Sequence, residues 1–173
     1  MPRCIRYGGM APQFTGDWFL ALFGAPLTYE DHVRRALLAA AAIRRALGND
    51  GEGVDTDRLN LPVRIGIHTG PVFFGPIGEN LSIDRTVIGD TANVAAGLQQ
   101  RAEPGTILLS ETTRLSAQGY ARVDPVGPLT LEGKAKPILA YRLLGVSHRR
   151  SALDEGHRLT RRYSLDATTS LPF

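Results

Sequence analysis

The chain has 173 residues, 43% of them hydrophobic and 21% charged, and carries a net charge of +3. That length suits one domain with a real core, and that composition excludes global disorder. Residues 148–173 hold five arginines against three acids, so most of the excess charge sits there, and the nearly neutral remainder speaks against a basic stripe for nucleic acid.

Residues 1–10 are mixed and Gly-rich, without the charged-then-apolar pattern of a signal segment. Cys4 is the one cysteine, which excludes an intrachain disulfide and a cysteine metal cluster. Residues 13–23 (QFTGDWFLALF) suggest two strands joined by a tight turn at Gly16 and Asp17. Gly24, Ala25 and Pro26 break that pattern. Thr28 with Asp31 three residues later resembles a capping box and predicts a helix over 30–47. Its apolar face holds Val33, Leu37, Ala40, Ala41 and Leu47, and Glu30 stands four before Arg34. The apolar run 36–43 inside it is too short to span a bilayer, so a cytoplasmic location is expected. Gly48 and Asn49 should end the helix, and the polar residues 49–60 read as an exposed loop.

Residues 61–68 (LPVRIGIH) alternate Val63, Ile65 and Ile67 with Arg64 and Gly66, as a strand does. A turn at Thr69 and Gly70 and a second strand over 71–75 would make the pair a hairpin. After a loop over 76–83 comes a short strand, 86–88. A helix should start at 89–91 and run to about Arg101, with Asp90 where the dipole favours it. Pro104–Gly105 is in type II turn order. Residues 106–110 (TILLS) read as a buried strand, 111–117 as a short helix, and 129–131 with 138–144 as a hairpin around Gly133. This order predicts an α+β domain, with a mainly antiparallel sheet and helices on one face, over 1–146. Residues 147–173, where the apolar pattern stops, read as a tail or linker.

Three segments resemble the class III adenylate and guanylate cyclases. They are TGDWFLALFGAP with EDHVRRALLAA; LPVRIGIHTGPVFFG; and TVIGDTANVAAGLQQRAEPGTILLSE with LEGKAKPILAYRLLG. Together, in order and at fitting spacing, they cover residues 7–145. The resemblance implies a ferredoxin-like, palm-type domain that turns ATP into cyclic AMP and pyrophosphate. In that chemistry the ribose 3′-hydroxyl attacks the α-phosphate, helped by two magnesium or manganese ions bridged by two aspartates. An asparagine positions the ribose, and an arginine one helical turn later stabilises the transition state. Sites form between head-to-tail domains, so a homodimer, or a heterodimer with another cyclase domain, is implied.

Carried over residue by residue, Asp17 matches the second metal aspartate and Asn93 the ribose-orienting asparagine. Lys134 resembles a phosphate-binding lysine. Gln13 and Thr86 fall at base-reading positions, Gln13 where many adenylate cyclases carry lysine, so ATP against GTP stays open.

Three departures matter. The family begins with a strand that supplies the first metal aspartate; here residues 7–9 are reached at once and no acid precedes Asp17. The expectation is therefore a domain with its first strand missing and an open, apolar sheet edge through which a second copy could pair. The family's Asn-x-Ala-Ala-Arg reads NVAAG, so Gly97 replaces the arginine, and Arg101 lies a further turn along. Trp18 puts a bulky indole beside Asp17, in space meant for nucleotide. One lost electrostatic donor typically costs about 10²–10³ in rate. The chain alone is expected to be inactive or weakly active; the alternative is a non-catalytic regulatory or dimerisation module partnering a complete cyclase.

Overall fold

The computed structural model describes residues 2–15, 18–25, 27–47, 61–76, 85–88 and 90–147. A short helix α1 (Pro2–Arg6) buries Cys4 and leads into a hairpin of β1 (Met10–Thr15) and β2 (Trp18–Leu22). Thr15 pairs with Trp18, so the two expected strands pair; the turn expected at Gly16 and Asp17 lies outside the described residues. The helix α2 (His32–Ala46) follows, then β3 (Ile65–Ile67). Next come β4 (Phe73–Pro76) and β5 (Arg85–Ile88), an antiparallel pair. The remainder is α3 (Asp90–Arg101), β6 (Ile107–Ser110), α4 (Glu111–Ser116), β7 (Ala121–Leu129) and β8 (Ile138–Val146).

A four-stranded sheet in the order β3-β6-β8-β7 forms the centre. All of its pairs are antiparallel except β3 with β6. All four residues of β6 are buried, and alternation sends them to opposite faces. Ile107 and Leu109 meet Val33, Leu37 and Ala40 of α2, with Ala117 at the end of α4 and Leu143 of β8. Leu108 meets Val94 and Leu98 of α3, with Leu131 and Ala140. The mixed α+β class and the mainly antiparallel sheet are therefore as expected. The expectation of helices on one face holds for α2 and α4, whereas α3 covers the opposite face, because β6 presents apolar residues to both sides.

The expected hairpin of 61–68 with 71–75 does not form. β3 pairs in parallel with β6, Ile65 against Ile107 and Ile67 against Leu109, and β4 turns to β5 instead. Burial decides this, since Ile65 and Ile67 pack against the α2 cluster beside the most buried strand. Gly66 faces the other way, under α3. A carbon added there would lie 2.1 Å from the Ala95 carbonyl oxygen and 2.4 Å from the Gln99 nitrogen. Only a glycine lets helix and strand backbones approach this closely.

Two details of the helix and turn chemistry also differ or hold. The capping box at Thr28 is replaced: Asp31 is the cap residue of α2 without a side-chain capping bond, and its carboxylate accepts from Arg35 Nε at 2.7 Å. At Pro104–Gly105 the type II turn forms, with Gly105 at φ 80° and Thr106 N donating to the Glu103 carbonyl at 3.0 Å.

Candidate functional site

The described part of the site is built on α3 and on the turn between β7 and β8. Thr91, Val94 and Leu98 form the buried face of α3, and the Thr91 hydroxyl donates to the Pro71 carbonyl at 2.6 Å. At 3.6 residues per turn, Asp90, Asn93, Gly97 and Arg101 form an adjoining stripe. Asn93 is exposed on it.

The turn over 131–134 lies along this stripe. Gly133 adopts φ 72°, a conformation that favours glycine, and Lys134 N donates to the Leu131 carbonyl at 3.2 Å. One end of the turn is fastened by Leu131, which is buried over Gly97. A carbon added at Gly97 would lie 3.0 Å from Leu131 Cδ1 and 3.3 Å from its Cβ. Leu131 thus leans on the position where the resemblance implies an arginine. The other end is fastened by Lys134, whose ammonium donates to Asp90 Oδ1.

His68 stands just past β3, on the same side as Lys134. Its Nδ1 is 2.7 Å from Ser110 Oγ and 3.3 Å from Thr112 Oγ1. Ser110 Oγ also accepts from Thr113 N, and the Thr113 hydroxyl bonds to Thr69 and to the Ile67 carbonyl. Burial first, and then the charge of Lys134, hold the imidazole below its ordinary pKa. At neutral pH it is a neutral ring beside a lysine.

The other residues singled out from the sequence lie elsewhere. Gln13 is in β1, its backbone paired with Leu20, and Thr86 is in β5, paired with Gly75. β1 lies against β5, so the two strands that carry Gln13 and Thr86 are neighbours. Asp17 is outside the described residues. Trp18, at the start of β2, is 45% exposed. Among the described residues no three His, Cys, Asp or Glu side chains come together. No described helix is long and apolar enough to cross a membrane.

Sequence reasoning singled out Asn93 and Lys134 but gave no sign of what each sits beside. Asp90 was legible as a favourable helix-opening acid, not as the partner of a lysine 44 residues away. Leu131 over Gly97 had no local signal. His68 carried one weak hint, a polar residue directly after an alternating strand.

The family model described as the adenylate and guanylate cyclase catalytic domain matches residues 13–145. Adenylate cyclase 1 of Rhizobium meliloti is 28% identical over 143 residues, 81% of this chain and 22% of that protein. An adenylate cyclase of Anabaena cylindrica is 38% identical over 97 residues, 53% of this chain and 18% of that protein. The chain thus spans about a fifth of the length of these relatives. Among solved structures, the adenylyl cyclase CyaB from P. aeruginosa superposes with a TM-score of 0.74 at 26% identity, covering 86% of this chain and 78% of that one. The guanylate cyclase domain of RhGC from Catenaria anguillulae, solved in complex with GTP, gives 0.73 at 26% identity, covering 84% and 78%.

Proposed function

The chain belongs to the adenylate and guanylate cyclase catalytic domain family, and on that premise we propose that it binds a purine nucleoside triphosphate and has little or no cyclase activity by itself. The reaction class is intramolecular phosphoryl transfer. The 3′-oxygen bonds to the α-phosphorus, the bond from that phosphorus to the bridging oxygen breaks, and pyrophosphate leaves with the electron pair. In this reading Asn93 orients the ribose, Lys134 meets the phosphates, and Gln13 and Thr86 meet the base edge. Magnesium or manganese, taken at Asp17 with ligands from outside the described residues, would neutralise phosphate charge.

One observation carries the inactivity. Gly97 stands one turn after Asn93 with Leu131 leaning on it, so that position offers no cation, and the stripe's arginine, Arg101, lies a further turn along. It favours a second reading too, in which the domain pairs with a complete cyclase and modulates it. A related domain, from the RhoGC fusion protein of Blastocladiella emersonii, is described as a non-canonical dimeric guanylyl cyclase domain.

The test is to incubate purified chain with ATP or GTP and manganese and to quantify cyclic nucleotide and pyrophosphate. Wild type is expected at or near background. Gly97→Arg, alone and with Leu131→Ala to make room, is expected to raise product by about 10²-fold, the worth of one positioned donor. That gain should vanish when Asp17→Ala is added. Robust wild-type product that Asp17→Ala abolishes would overturn the inactivity. If the chain is silent but changes the output of a complete cyclase domain mixed with it, the regulatory reading stands.

A further inference from the structure

Lys134 and Asp90 are unequal partners. The lysine side chain is 18% exposed and the aspartate 75%. A lysine whose side chain is largely covered by protein has less water around it and gains more from a counter-charge than an exposed group does. An exposed carboxylate on the first turn of a helix does not need one, because water and the free N–H groups of that turn stabilise it. The pairing therefore answers a need of Lys134, and Asp90 is the partner that can leave.

The backbone reinforces this asymmetry. The turn carrying Lys134 is closed by its bond to the Leu131 carbonyl and pinned by buried Leu131 over α3. The backbone of Lys134 is thus held beside the start of α3 whether or not Asp90 points at the ammonium. His68, a titratable group that feels the charge of Lys134, is tied to Ser110 and Thr112 and, as a neutral or cationic ring, supplies no negative charge in place of Asp90.

We propose that Asp90 is a built-in placeholder: in the nucleotide-free chain its carboxylate occupies Lys134, and a polyphosphate must displace it to bind. This rests on the reading of Lys134 as a phosphate contact and adds that Asp90 sets the affinity of that contact. The incoming anion carries several negative charges against one on Asp90, so it wins Lys134 electrostatically. Once displaced, Asp90 still sits on α3 beside the phosphates and opposes them. Both effects make Asp90 a brake on binding.

The experiment is calorimetric titration of the full chain with two probes, ATP with manganese and inorganic tripolyphosphate, which has the phosphates without the nucleoside. Asp90→Asn is expected to tighten both by about three- to tenfold, as loss of one partly screened like charge should. Asp90→Ser, which keeps a residue suited to a helix start, is expected to do the same and serves if the first variant folds poorly. In a Lys134→Met background the part of the gain that comes from freeing Lys134 should disappear, leaving only the smaller like-charge part; an undiminished gain would overturn the placeholder. ATP binding that ignores or weakens with the Asp90 substitutions would overturn the placeholder and leave the nucleotide reading standing. Tripolyphosphate binding that tightens while no variant takes ATP would keep the placeholder and sink the nucleotide reading. Failure of every variant to bind either probe would overturn both.

Discussion

His68 shows how one side chain couples the site to stability. Its ring bonds to Ser110 at the end of β6, and burial followed by Lys134 disfavours its charged form. Unfolded, the same imidazole takes a proton near pH 6.5, about its ordinary value. Because the native value lies lower, the unfolded chain binds more protons as pH falls through that value, and stability drops with it. The contribution is fully present above about pH 6.5 and is lost toward the lower native value. Asp31 and Glu111, held below the usual carboxylate range by bonds to Arg35 and Arg114, act in a separate window below about pH 4.5. Urea midpoints at about pH 7.5 and 5.5 should therefore differ less in His68→Asn than in wild type. An unchanged difference would show that His68 does not carry the slope.

Among the described elements, α3 crosses β3 at very close range. Gly66→Ala would press its new carbon against backbone of the α3 residues Ala95 and Gln99, atoms with no rotamer to change. The expected loss is about 2–4 kcal/mol, from overpacking that only a helix shift relieves. Gly145→Ala is the control: the nearest atom, on Arg122, is 4.0 Å away, so stability should change by less than about 0.5 kcal/mol. Chemical denaturation of the two variants checks the contrast. Similar losses at both glycines would mean that α3 does not ride on β3 as described. In the sequence Gly66 reads only as an alternating strand position. Neither the close approach nor the helix that makes it was legible there.

For the whole molecule, the described residues divide into a four-stranded sheet covered on both faces and two two-stranded pairs, β1-β2 and β4-β5. Isolated hairpins are marginal in water, while a sheet between two apolar clusters opens only by larger unfolding. Amide exchange should therefore be slowest in β6 and β8 and much faster in β1-β2 and β4-β5, read by mass spectrometry of peptides. Equal protection throughout would mean that the hairpins share the stability of the central sheet. β3, with three residues at the edge of that sheet, should fall between.

Local chemistry was enough for much of this chain. The apolar run ILLS reads as a buried strand, the Gly-Asp-Thr start and Arg101 end bracket α3, and Pro104–Gly105 forms its turn, because each depends on neighbours a few residues away. The order and spacing of the three motifs likewise sufficed for the family. The tertiary structure alone decided that β3 joins β6 rather than β4, that Leu131 leans on Gly97, that Asp90 takes Lys134 and that His68 bonds to Ser110. These partners are tens of residues apart. They are selected by which apolar faces must be buried and which charges then need a counter-charge, and neither is set until the chain is packed.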